Sequence, residues 1–530
     1  MTDYLPQGAS PTDLPAWTGN LSTPNGTAQH NGNHSHNGNG AARHNGADHD
    51  GGRHNGHAPV ADYAAVQELR NRVSTRLTSE GGSSYEALDA EARRLRTRTL
   101  IMEELQTWVL HRTTVGLPAP SMDAEDALID AVTAALAGLG RLEPLLLRDD
   151  VEDIFFNGTA PTMLRLSDGS KVQGPPIAAS NDELKAMIQQ LGTTLGDGIS
   201  REFSDARPLM ALRLKAVGDL LGARLSAATD VTPYPAGTIR VHRHAEGDLD
   251  VAYAKRMIDA PLRELLRASV LAGVKICFVG EMGAGKTFLL RCACAEIPLD
   301  RMIVTVEDER ELGLHVLPLR DEHGKIVRNP DGSVVPRRPP ALVRAYEARP
   351  ANSEGVGRID QADLLFHALR DSADVLVLGE SRGGDIVHLL DAATNGTSGV
   401  MCTLHASSAG AVFDRIVQLV LKAQPPLPTE WALRASTALD LIVYVRRNRE
   451  HERFVSEVIE VKSGQLGERG MPVVNHLFEP RDDGRAVPTG HKPSDELAAK
   501  LVDVGFSMDW LDRDKAYLSD WDRPSGGESL

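Results

Sequence analysis

The spacing of apolar residues changes along the chain and divides it. Over residues 60–79, Val66, Leu69, Val73 and Leu77 recur at three- and four-residue steps. Over 85–112, Leu95, Leu100, Met102, Leu105 and Val109 do much the same, so a helical segment is predicted at 60–120. Residues 121–147 open on Ser121-Met122-Asp123-Ala124-Glu125, a helix start with early acids, and continue through Leu128, Val132, Leu136 and Leu139. Short apolar runs follow at 151–156 and 162–166, with the turn signal Asn157-Gly158 between them. A helical stretch at 181–195 and strand-like runs at 210–214, 221–227 and 237–243 complete a predicted α+β domain at 121–248. A linker is expected at 249–260, then a helix at 261–268. From Lys275 onward the pattern alternates. Apolar strands at 275–279, 302–306, 375–378 and 399–404 are separated by helical stretches, which predicts a mostly parallel sheet covered by helices. Residues 440–445 and 454–461 read as a closing hairpin that ends this second domain, 261–462. Residues 463–530 are polar, with one short helix at 494–504, and are expected to be partly ordered and without catalysis.

Composition changes this picture at the ends. Residues 1–58 are rich in His, Asn and Gly, hold seven of the 18 histidines and have almost nothing to bury, so a disordered tail is expected. Crowded histidines also make metal binding there conceivable. Of all residues, 41% are hydrophobic and 25% charged, as in soluble globular chains. The net charge of −16 argues against a general nucleic-acid surface. No apolar run reaches the roughly 18 residues of a membrane span. The N-terminus lacks a basic-then-apolar signal pattern, and a cytoplasmic location is the expectation. Cys277, Cys292, Cys294 and Cys402 show no zinc spacing and are expected as small core residues.

The candidate chemistry lies at the strand ends of the second domain, where open α/β sheets place ligands. Gly280-Glu281-Met282-Gly283-Ala284-Gly285-Lys286-Thr287 satisfies the phosphate-loop pattern between a strand and a helix. Such a loop turns backbone N–H groups and a helix N-terminus toward phosphate. Gly280, Gly283, Ala284, Gly285, Lys286, Thr287 and Phe288 are the candidate nucleotide contacts. Lys286 is expected on the β- and γ-phosphates and Thr287 on Mg²⁺. Next comes Glu307-Asp308-Glu309-Arg310-Glu311, in which Glu307 suits the base that orients and deprotonates water. Gly379-Glu380-Ser381-Arg382-Gly383 places Glu380 to serve Mg²⁺ through water, and Arg382 either to orient Glu380 or to sense nucleotide state. Thr403-Leu404-His405-Ala406 offers His405 as a γ-phosphate contact.

In this order the four motifs resemble the Walker A, Asp box, Walker B and His box of the secretion-system ATPases, most of all the CpaF/TadA type of Flp pilus assembly. The resemblance runs from about residue 60 to 462. It takes in Gly138-Leu139-Gly140-Arg141-Leu142-Glu143-Pro144-Leu145-Leu146 and Glu152-Asp153-Ile154-Phe155-Phe156-Asn157-Gly158. It implies a RecA-like α/β motor behind an α+β N-terminal domain, a homo-hexamer, and ATP with Mg²⁺ between the two domains. It also implies work on an inner-membrane platform protein. Arginines of the N-terminal domain approach the γ-phosphate in such enzymes, and Arg224 and Arg240 match positions of that kind. Ser381 departs from the usual apolar residue. Residues 320–340, with Asn329-Pro330-Asp331-Gly332, look like an inserted exposed hairpin. A hexameric nucleic-acid motor of the same core, which would need a basic pore, and a scaffold that binds ATP without turnover are the alternatives.

Overall fold

The computed structural model describes residues 63–79, 90–137, 140–194, 202–214, 220–243, 247–321, 325–330, 333–351 and 355–513. The tail reading at 1–58 lies outside them. Helices α1 (Tyr63–Ser79), α2 (Ala90–Thr114) and α3 (Met122–Ala137) pack on one another through Leu69, Val73, Leu100, Ile101, Leu105, Trp108 and Val132. The buried face of α2 differs from the expected one. Leu95 and Met102 are 69% and 45% exposed, while Ile101 and Trp108 point inward. Leu105 lies on both candidate stripes, and the indole N–H of Trp108, donating to Glu68 at 3.0 Å, accompanies the inward one. Residues 122–137 thus join the helical bundle rather than the α+β domain in which they were placed.

That domain starts at the single turn α4 (Glu143–Leu146). Its strands are β1 (Val151–Asn157), β2 (Met163–Leu166), β3 (Lys171–Gln173), β4 (Leu209–Leu214), β5 (Leu220–Ala228) and β6 (Ala236–Arg243). They form an antiparallel sheet in the order β3-β2-β1-β6-β5-β4. Helix α5 (Asn181–Thr194) seats Leu184, Ile188 and Leu191 in the same core as Ile154, Leu225 and Ile239.

Residues 249–260, expected as a linker, are folded onto the second domain. They hold α6 (Leu249–Ala254) and lead into α7 (Ala260–Leu271), with Asp248 and Asp259 as caps accepting from the Val251 and Leu262 amides at 2.9 Å. Leu249, Met257 and Ile258 are buried in the second domain's core. At roughly 1.5–3 kcal/mol each, three such side chains fasten the segment too firmly for a free hinge. The charged residues between them mask the pattern in the sequence.

The second domain has one nine-stranded sheet, in the order β15-β14-β13-β12-β7-β11-β10-β8-β9. Strands β7 (Ile276–Gly280), β8 (Ile303–Glu307), β9 (Val343–Glu347), β10 (Val375–Leu378), β11 (Val400–His405) and β12 (Leu441–Arg447) are parallel. Strands β13 (Arg453–Leu466), β14 (Pro472–Pro480) and β15 (Ala486–Pro488) extend it antiparallel. One face carries α7 and α8 (Lys286–Cys294). The other carries α9 (Gln361–Ala368), α10 (Asp385–Thr394), α11 (Val412–Val420) and α12 (Thr429–Ser436). The C-terminal stretch, expected as a partly ordered extension, supplies β14, β15 and α13 (Asp495–Asp503), and Leu497, Leu501, Phe506 and Leu511 complete the core. The fold class is the expected one, a RecA-like α/β domain behind an α+β domain and N-terminal helices.

The 320–340 stretch folds back twice, through bridges Arg320–Ile326 and Arg328–Val334, with Pro318 paired to Pro336. Arg338 ties its end to the carbonyls of Ile297 and Pro298. All four cysteines are buried and free, and Cys277 and Cys402 face each other across β7 and β11. Among the described residues no helix is long and apolar enough to cross a membrane.

Candidate active site

The central strand β7 is buried along its length and ends on the phosphate loop. Its glycines answer to geometry. Gly283 and Gly285 have φ of 73° and 97°, in the left-handed region. A Cβ on Gly280 would stand 2.3 Å from the Val445 carbonyl oxygen of neighbouring β12. The loop is thereby pressed onto the sheet edge, and α8 starts at Lys286 with its N-terminus toward the loop.

Lys286 is 6% exposed. Its ammonium donates to the carbonyls of Gly280 at 3.1 Å and Glu281 at 2.9 Å, and lies 3.1 Å from His405 Nδ1. Burial pulls its pKa down to about 8, against the raising effect of Glu380. With Nδ1 accepting from Lys286, the hydrogen of the imidazole sits on Nε2, which is 2.8 Å from Glu380 Oε1. Arg382 donates to the other Glu380 oxygen at 2.7 Å and to Asp308 at 3.2 Å. Burial works against the Glu380 carboxylate, but hydrogen bonds from His405 and Arg382 outweigh it and hold its pKa down to about 2. A continuous chain Lys286–His405–Glu380–Arg382–Asp308 therefore links the ends of β7, β11, β10 and β8. Ser381 is buried, and its amide donates to the Thr403 carbonyl at 3.1 Å, so a small residue suits this slot.

The donor set suits a nucleotide triphosphate with a divalent ion. The loop's glycine conformations leave its backbone free of side-chain bulk, and a buried ammonium adds positive charge. The half-buried Thr287 opens α8, and Glu380 is an ionised carboxylate. Ala284 is buried beneath the loop and Phe288 half-buried on α8's first turn.

Glu307 stands apart from this chain. It is 2% exposed, and its Oε1 accepts from the amides of Glu311 at 3.0 Å and Leu312 at 2.9 Å. Burial raises its pKa to about 8, although those hydrogen bonds oppose the shift. It adjoins Gly379: a Cβ there would lie 2.8 Å from Glu307 Cγ, which explains the glycine ahead of Glu380.

Arg224 and Arg240 separate. Arg224 reaches across to the second domain and pairs with Glu309 at 3.2 Å. Arg240 stays within its own domain, 3.5 Å from Asp153, which also pairs with Arg165. Residues that no motif reveals crowd the same domain boundary. His242 lies between Glu309, at 3.2 Å from Nε2, and Glu311, at 3.7 Å from Nδ1. Arg213 donates to both oxygens of Glu347 at 2.6 Å. His242, Glu309 and Glu311 lie near enough together to suggest a metal site. However, the ring presents a different nitrogen to each carboxylate and Arg224 already pairs with Glu309, so the three side chains do not converge on one ion. The only sequence signal was the density of acids at 307–311.

Residues 235–470 match the family model described as type II/IV secretion system protein. A protein of Mycobacterium tuberculosis named for conjugal transfer is 30% identical over 334 residues, 62% of this chain and 86% of that protein. The type IV secretion system protein VirB11 of Brucella suis is 30% identical over 199 residues, 36% of this chain and 49% of that protein. The solved VirB11 ATPase of Brucella suis aligns over 61% of this chain and 95% of its own at 21% identity, with a TM-score of 0.29. By the family match over the phosphate-loop domain and a relative aligned over most of its length, the chain belongs to the type II/IV secretion system protein family.

Proposed function

We propose that the chain is an ATPase that powers Flp or type IV-like pilus assembly, or secretion, at the inner face of the cell membrane. The observation that carries the reading is the contact chain from the helix-opening Lys286 through His405 to Glu380 at the strand ends, joined at hydrogen-bond distances beneath one phosphate loop. Lys286 binds the β- and γ-phosphates, Thr287 and Glu380 hold Mg²⁺, and His405 and Arg382 orient Glu380. The metal, when bound, offsets phosphate charge. Glu307 is the base for the attacking water, and a proton affinity near neutral pH suits that task. Arg224 and Arg240 supply cationic charge from the N-terminal domain. The working form is a homo-hexamer of the CpaF/TadA type that acts on an inner-membrane platform protein. The family match and the acidic balance of the chain favour this over a nucleic-acid motor.

Phosphate release by purified full-length protein with Mg·ATP tests the reading. Wild type is expected to turn over, without stimulation by single-stranded DNA, and Lys286→Ala to lose at least about 100-fold. Equal rates in the two proteins refute it.

A further inference from the structure

The turn Asp308–Leu312 is held from three sides. Arg291, on the helix that begins with Lys286, donates to the carbonyls of Glu311 and Leu312. The amides of the same two residues donate to Glu307. The side chains of Glu309 and Glu311 project to the N-terminal domain, where His242 sits between them, 9% exposed, and Arg224 flanks Glu309. Arg310, between those two acids, is bound in turn. Its amide donates to Glu347 at 3.2 Å, and Glu347 takes Arg213 of the N-terminal domain. The turn thus meets the domain boundary through the Glu309 and Glu311 side chains and the buried carboxyl through the Glu311 and Leu312 amides. A rigid turn cannot move on one side alone.

We infer that His242 positions Glu307 through this turn: by holding Glu309 and Glu311 it keeps the Glu311 and Leu312 amides on the Glu307 carboxylate. His242 is a positioning residue, because it touches neither the phosphate loop nor the Lys286–Glu380 chain among the contacts described. The inference rests on the reading of Glu307 as base. The titratable and charged groups facing Glu307 are Arg291 and Cys294 of α8 and Glu311 of the turn. Those facing His242 are Glu309 and Glu311. Without the Glu311 and Leu312 amides a still-buried Glu307 holds its proton more tightly, since the two hydrogen bonds favour its ionised form.

The test is steady-state turnover of the full chain over pH 6–9 (roughly the span that brackets a base of this kind) for wild type, Lys286→Ala, His242→Ala, His242→Gln and Glu309→Gln. His242→Ala is expected to lower kcat about five- to tenfold with KM for ATP within about twofold. The rising limb of its pH–kcat profile moves to higher pH, since a loosened turn withdraws amide donors that favour the ionised Glu307. His242→Gln, which still donates to one carboxylate, restores most of kcat. Glu309→Gln, at a half-buried position that tolerates a neutral amide, moves the limb in the same direction should His242→Ala fold poorly. In a Glu307→Gln background, His242→Ala adds no further loss. A His242→Ala enzyme with wild-type kcat and an unmoved limb overturns the inference, as does a loss that appears in KM alone. Either result, with wild type active and Lys286→Ala inactive, leaves the ATPase reading intact. An inactive wild type instead refutes that reading itself.

Discussion

Two parts of the candidate site differ in how they are built. Around the phosphate loop, Lys286, His405, Glu380, Arg382 and Asp308 meet as neighbours on the ends of adjacent parallel strands, so one sheet fixes their spacing. At the domain boundary, Glu309, Glu311 and Glu347 meet Arg224, His242 and Arg213, which come from a different sheet. The first group holds its shape as long as the sheet does. The second holds only while the two domains keep their present angle. Glu307 lies between them, adjoining Gly379 of the first and bound to the turn of the second. The rigid part suits binding, and the boundary suits control of when the base acts.

The contrast can be broken from either side. Removing charge from the rigid part gives the largest effect: Glu380→Gln takes the carboxylate from His405 and leaves Arg382 only Asp308, and is expected to cost on the order of 10²-fold in kcat, read as phosphate release. Gly379→Ala presses a methyl on Glu307 Cγ. The predicted result is a roughly tenfold fall in kcat with unchanged ATP affinity, checked by turnover and titration calorimetry. Next comes the pH dependence of binding. With the Lys286 pKa near 8 in the free protein and phosphate favouring its charged form, ATP affinity falls as pH rises through 8. About a tenfold weakening between pH 7 and 9 is expected, measured with a slowly hydrolysed analogue.

The smallest effect concerns stability. The folded pKa of Glu307, about 8, lies above its ordinary 4.5. The folded state is therefore favoured by the bound proton below about pH 4.5, and that contribution is lost as pH rises through 8. Glu307→Gln removes the pH-dependent loss. The variant is expected to match wild type near pH 4 and to be more stable at pH 8 by on the order of 1–3 kcal/mol, a shift of a few degrees in Tm.

The rigid part was legible in the sequence because each of its members ends an apolar strand and sits in a local motif. Lys286, Glu380, Arg382 and His405 are all found within a few residues of such a run. The boundary was not legible, since His242 and Glu309 are 67 residues apart and neither sits in a pattern. The same limit applies to the fold. Strands β9, β14 and β15, at and beside the sheet edges, are half polar or short, so their register comes from the sheet they join and not from their own alternation. The face of α2 was mis-phased because Leu95 and Met102 mimic a stripe that the neighbouring helices never cover. Helix α6, six residues with charged neighbours, is too short to show a period.

The central claim is that one triphosphate is held by the rigid part while Glu307 performs the proton transfer. Paired measurements on Glu307→Gln address it most directly: equilibrium ATP binding and steady-state phosphate release, on one preparation. The account predicts a Kd within about twofold of wild type and turnover lower by about 10²–10⁴-fold. A Glu307→Gln protein that releases phosphate at the wild-type rate contradicts it.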